Sequence, residues 1–96
     1  MSTPAVSNVV LVTVDSLRAD AIAPYNADRH TPVLRDLADD AAVFERAFAT
    51  GNWTPFSFPS IMASRPVFAD DGQIGVKSAP TLARTLSDAG LTTAGF

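Results

Sequence analysis

Asn8-Val-Val-Leu-Val-Thr-Val14, running directly into Asp15, is the stretch on which the fold reading turns. It is short, β-branched and apolar on both faces of an extended chain, which predicts a central parallel strand covered on both sides. Working outward, residues 16 to 30 form a connection with Pro24, Asn26, Arg29 and His30. Thr31-Pro32 is a helix start, a capping residue followed by proline at the first helical position. Val33, Leu34, Leu37, Ala38 and Ala41 then recur at helical spacing, with Arg35, Asp36, Asp39 and Asp40 turned away. Val43 to Ala49 reads as a second strand, Ser57 to Ser64 as a short helix and Pro66 to Ser78 as a surface loop. Ala79 to Ala89 repeats apolar residues at Leu82, Ala83 and Leu86, with Gly90 placed as its C-terminal cap. Leu91 to Phe96 opens a third strand. This order predicts an α/β fold with a mostly parallel central sheet, of which residues 1–96 are an incomplete, N-terminal part.

Composition narrows the function classes. The chain has 96 residues, a formal charge of -3 and no cysteine. Without a thiol there is neither a disulfide framework nor a cysteine-ligated metal. Without a Lys/Arg excess there is nothing to neutralise phosphates, so no nucleic-acid partner is expected. No stretch has the apolar length that spans a bilayer, and no positively charged leader precedes the first apolar run. The expectation is therefore no membrane partner and a cytoplasmic location. No phosphate-loop or dinucleotide-binding glycine pattern occurs.

Two residues are candidates for chemistry on position alone. Asp15 ends the first predicted strand, at the edge where open α/β sheets bind ligands. A carboxylate there can hold a hard or borderline cation through oxygen; it can equally cap the turn that follows. Thr54 stands before a predicted helix, where backbone N–H groups and the positive end of the dipole favour anionic oxygen. The alternative there is that Thr54 or Ser57 is an N-cap and nothing more. The single histidine, His30, reads as a loop residue. Asp70, Asp71 and Gly72 lack the ligand periodicity of a calcium loop and read as a solvated turn.

Five blocks in series carry a resemblance: Asn8 to Asp20, Thr31 to Ala38, Phe44 to Ala49, Trp53-Thr54 through Ser60 to Arg65, and Thr81 to Phe96. Their order and separations resemble the N-terminal part of the sulfatase family, within the alkaline-phosphatase-like superfamily of metal-dependent hydrolases. The resemblance implies an α/β sandwich and makes residues 1–96 a partial N-terminal domain of that kind. It implies a divalent metal ion (calcium, magnesium, manganese or zinc) held by Asp15 and Thr54, with Thr54 as the catalytic nucleophile. It places Arg18 and Ser57 beside them as groups that orient the metal carboxylate or touch substrate. For Arg18 a surface ion pair with Asp20 is the competing reading.

The sequence departs from the family pattern where the chemistry is set. Sulfatases place a Cys or Ser in C/S-x-P-x-R, whereas from Thr54 the Pro and Arg positions are Phe56 and Phe58. Threonine cannot become formylglycine, which points to the alkoxide chemistry of phosphodiesterase- and phosphotransferase-like relatives. Val14 stands where the first motif has a second Asp. The family's later metal ligands and its catalytic Lys and His have no counterpart in these 96 residues. The expectation is a hydrolase or transferase of sulfate or phosphate esters, inactive as this segment alone, whose partner is an anionic ester once a C-terminal part completes it. The alternative is a non-catalytic remnant or interaction module that forms a homo-oligomer through its open sheet edge.

Overall fold

The computed structural model describes residues 6–76 and 78–96. Its regular elements are helical: a short 3₁₀ turn at Ala19–Ala21, α1 at Pro32–Asp39, α2 at Thr54–Ala63 and α3 at Leu82–Asp88. No strand occurs among the described residues. The expected α/β sandwich with a parallel central sheet is therefore corrected, and with it the strands at 8–14, 43–49 and 91–96. The physical reason lies in where each element finds its hydrogen bonds. A helix closes its N–H to C=O bonds within four residues, whereas a strand makes none without a neighbour. Asn8 to Val14 forms no backbone hydrogen bond among the described residues. Residues of both parities, expected to be covered, meet solvent, with Val10 84% and Leu11 51% exposed.

The helices appear where local signals place them. α1 begins at Pro32, and its first bond runs from the Arg35 N–H to the Thr31 carbonyl (3.0 Å). Thr31 does not cap it through its side chain. Its Oγ1 instead accepts the Ala23 N–H at 2.7 Å, joining the helix start to the preceding loop. α3 begins with Thr81 accepting the Arg84 N–H and ends on Gly90 at φ +96°. There the Leu91 N–H reaches the Leu86 carbonyl and the Gly90 N–H the Ser87 carbonyl, the paired closure that needs a left-handed residue at this point.

The chain divides into two compact units, one of Leu11–Ala47 and one of Phe48–Phe96 together with the stretch ending at Val10. In the first, Ala23 is the one buried apolar residue among those described, and the Tyr25 hydroxyl donates to the Phe44 carbonyl at 2.8 Å. The apolar stripe of α1 covers nothing: Val33 and Leu37 are exposed. In the second, α2 packs against α3 and Val67 is buried. The 66–78 segment is a loop, as expected, but an organised one. The Gln73 N–H closes on the Asp70 carbonyl across Asp71 and Gly72, both at positive φ, and the Gly75 N–H returns to the Val67 carbonyl. Asp70 is half-buried rather than solvated. Its carboxylate accepts from the Ser78 N–H (3.0 Å) and hydroxyl (2.5 Å). No helix among the described residues is long and apolar enough to cross a membrane.

Candidate functional site

Thr54 is the first residue of α2 and is exposed. The helix starts three residues before the expected Ser57, because Pro55 fits the first turn, where a missing N–H costs nothing. Pro59 lies inside the helix and withholds the bond that would reach the Pro55 carbonyl. Trp53 is the N-cap residue, with no side-chain cap. Its carbonyl takes the N–H groups of both Phe56 (2.9 Å) and Ser57 (3.0 Å). Pro55 has no N–H, so in this first turn the Thr54 N–H is left as the donor without a partner among the described residues. The helix start is thus poorer in anion-binding amides than its position suggested.

What fixes Thr54 is the turn before it, and Phe56 is its anchor. The Thr50 hydroxyl donates to the Phe56 carbonyl at 3.0 Å. The Gly51 backbone lies so close that a Cβ there would stand 2.5 Å from Phe56 Cβ. The Trp53 ring meets Phe56 edge-on at 5.1 Å between centroids, and Phe68 meets it at 5.8 Å. In the sequence Phe56 stands out only as the position where the family motif has proline. The available signal was spacing: an aromatic at 53 and another at 56 lie one helical turn apart.

Asp15 follows the apolar Asn8–Val14 segment and is exposed. Its carboxylate makes no hydrogen bond or ion pair among the described residues. Ser16 after it is left-handed at φ 58°, so the chain reverses at once through a conformation rare outside glycine. Arg18 is turned to Asp20, Nη2 to Oδ2 at 2.8 Å, in a solvent-exposed ion pair of small energetic weight. Asp20 also organises the loop through its carbonyl, which accepts from Asn26 Nδ2 (3.0 Å) and Arg29 Nε (3.3 Å). Ser57 is half-buried in the first turn of α2, and His30 is exposed in the loop before α1.

Asp15 and Arg18 belong to the Leu11–Ala47 unit and Thr54 and Ser57 to the other. Among the described residues no group of three or more His, Asp or Glu could hold a metal ion. One carboxylate and one alcohol fall well short of the roughly six oxygen donors that a hard divalent cation takes.

The sulfatase family profile matches residues 7–96, nearly the whole chain. The chain belongs to the sulfatase family. Members of that family are metal-dependent hydrolases, and this segment carries a sulfatase-like hydrolase domain sequence from its first apolar run onward. No individual curated protein and no solved structure matches the chain significantly. The match and the geometry bear on different things. The family assignment rests on the match over residues 7–96, while among the described residues there is no strand and no gathered set of metal ligands.

Proposed function

We propose that this chain forms the opening part of a metal-dependent hydrolase or transferase acting on sulfate or phosphate esters, with Thr54 as the attacking alcohol. The observation that carries this is the family match combined with the state of Thr54. The residue at the nucleophile position begins a helix, is open to solvent, and is held by a turn clamped on Phe56. In the proposed step Thr54 Oγ1 bonds to the phosphorus or sulfur of the ester. The bond to the ester oxygen breaks, and that oxygen leaves with the electron pair and takes up the proton given up by the Thr54 hydroxyl; water, or an acceptor alcohol in a transferase, then displaces Thr54 Oγ1, which regains a proton. A threonine side chain cannot be oxidised to an aldehyde, because its β-carbon also carries a methyl group, so the formylglycine route of sulfate esterases is closed to it. That favours direct displacement and, with it, phosphate esters.

Asp15 is the carboxylate this chain offers to the family's divalent ion, whether calcium, magnesium, manganese or zinc. The remaining donors have to come from outside these residues, so the segment alone is expected to be inert. The test is to express the natural reading frame that carries this chain and assay aryl sulfates and phosphate diesters with each of the four cations. Turnover that survives Thr54→Ser and is lost in Thr54→Ala supports the assignment. Undiminished turnover in Thr54→Ala refutes it.

One observation favours a second reading, self-association of the segment. Asn8 to Val14 presents exposed apolar residues and a backbone with no hydrogen-bond partner among the described residues, which can pair with a second chain. Light scattering on the chain that shows a monomer at all concentrations would dismiss it.

A further inference from the structure

The loop between α2 and α3 holds a reactive pair unrelated to Thr54. Asp71-Gly72 is the one Asp-Gly step in the chain, and there is no Asn-Gly. A glycine after the acid matters because its backbone nitrogen has no side chain to hinder attack on the neighbouring carboxyl carbon. Both groups are open. Asp71 and Gly72 are exposed, and nothing lies within 4 Å of where a Gly72 Cβ would stand. Neither the Asp71 carboxylate nor the Gly72 N–H has a hydrogen-bond or ion-pair partner among the described residues. The backbone, however, keeps the two apart. Asp71 stands at φ 56° and Gly72 at φ 73°, and the Gln73 N–H donates to the Asp70 carbonyl at 3.0 Å. Positive φ at both central residues with that closure makes a type I′ turn. The ψ of such a turn sets the Gly72 nitrogen nearly trans to Asp71 Cβ about the Cα–C bond. Closing a five-membered ring needs the two eclipsed. The Asp70 carboxylate braces the turn across the loop, accepting the Ser78 N–H at 3.0 Å and its hydroxyl at 2.5 Å.

We propose that Asp71-Gly72 is a site of spontaneous backbone isomerisation to isoaspartate, gated by opening of this turn. When the Gln73–Asp70 bond breaks, rotation about Asp71 Cα–C brings the Gly72 nitrogen to Asp71 Cγ. A bond forms between them, and the protonated carboxyl loses its hydroxyl, which leaves as water with the proton of the Gly72 N–H. The product is a cyclic imide. Water then adds to the Asp71 backbone carbonyl, and the bond from that carbon to Gly72 nitrogen breaks. The nitrogen regains a proton, the backbone carbon becomes a free carboxyl, and the chain runs on through Cγ. One water leaves and one enters, so no other reagent is consumed. The new linkage puts an extra carbon into the backbone between Asp70 and Gln73, and the turn no longer fits its closing bond. The opened turn also loses its register against Ser78, ahead of α3. The inference lies outside the ester chemistry of Thr54 and rests on no part of it.

The test incubates the chain in warm, near-neutral buffer made with heavy-oxygen water. Isoaspartate is located by electron-transfer fragmentation, and each conversion leaves one heavy oxygen. A synthetic peptide of residues 68–76 gives the rate without the brace. Isoaspartate should accumulate at Asp71 of the chain, about fivefold more slowly than in the peptide. Ser78→Ala removes one bond to Asp70 and should quicken conversion about two- to threefold, with the amide spectrum of α2 unchanged to show that the fold is retained. Urea below the unfolding midpoint should quicken it in the wild-type chain too, which keeps the gate testable should Ser78→Ala not fold. Asp71→Glu, whose ring would be larger and slower to close, should abolish the product. In the converted chain the Gln73 amide should lose its protection from exchange. No isoaspartate at Asp71 of the chain while the peptide converts overturns the proposal. So does a rate equal to the peptide's, a rate unmoved by both Ser78→Ala and urea, or a protected Gln73 amide after conversion. None of these outcomes bears on Thr54.

Discussion

Gly51→Ala tests how the turn before Thr54 is held. The new Cβ would stand 2.5 Å from Phe56 Cβ and 3.4 Å from Phe56 Cγ. Carbon atoms in contact sit about 3.5–4.0 Å apart, so the overlap exceeds 1 Å. The nearest atom is the root of a side chain fixed to a helix, not the far end of a flexible one. Either the turn or the helix start has to move. Overpacking of this kind costs about 1–3 kcal/mol, while Gly→Ala returns about 0.4–1 kcal/mol through the unfolded chain. The net is about 1–2 kcal/mol against the turn. The gauge is hydrogen exchange at the Phe56 and Ser57 amides, which both donate to the Trp53 carbonyl. Exchange there should quicken about 5- to 30-fold, since 1.4 kcal/mol is a factor of ten. Gly95→Ala, where nothing lies within 4 Å, is the control and should leave these amides unchanged. Phe56→Ala should not rescue Gly51→Ala, because the overlap is with the Cβ that alanine keeps. Slower or unchanged exchange in Gly51→Ala would refute the reasoning, and so would rescue by Phe56→Ala.

Other consequences are as specific. Thr31→Val removes the acceptor of the Ala23 N–H, a group that is buried, at a cost of about 1–3 kcal/mol. The Ala23 amide should exchange at least about fivefold faster, and Thr31→Ser should restore it. Gly90→Ala puts a side chain at φ +96° and should cost about 1 kcal/mol, seen as lost protection of the Leu91 amide at the end of α3. Val10→Lys with Val12→Lys places charge on an exposed apolar stretch and should lower concentration-dependent light scattering without altering the amide spectrum of α2 or α3. The 96-residue chain, assayed with each of the four cations, should show no ester turnover above background, whether Thr54 is present or replaced by alanine.

Much of the helical structure was legible because its causes are local. Thr31-Pro32 announces α1, and the apolar spacing through Leu86 with Gly90 beyond announces α3 and its left-handed closure. For α2 the expected start, Ser57, lies three residues after the observed one, Thr54. Pro55 is tolerated in the first turn, whose N–H groups have no helical partner. The roles of Thr31 and Phe56 were not legible at all. A hydroxyl that caps its own helix and one that reaches eight residues back look the same in sequence, and a phenylalanine does not announce which glycine will press against it.

The amino-acid order carries the family over residues 7–96, and it carries the presence of the three helices and the closure of α3 at Gly90, because helical hydrogen bonds and caps are settled within a few residues. The tertiary structure decided the rest. Whether Asn8–Val14 becomes a strand depends on backbone partners and covering faces that its own residues cannot supply, and the described residues supply neither. Whether Asp15 and Thr54 act on one cation is likewise a matter of bringing distant donors together, which their own neighbours in sequence do not settle. Periodicity writes local bonds into a chain one residue at a time; pairing and coordination are made only when remote parts of it meet.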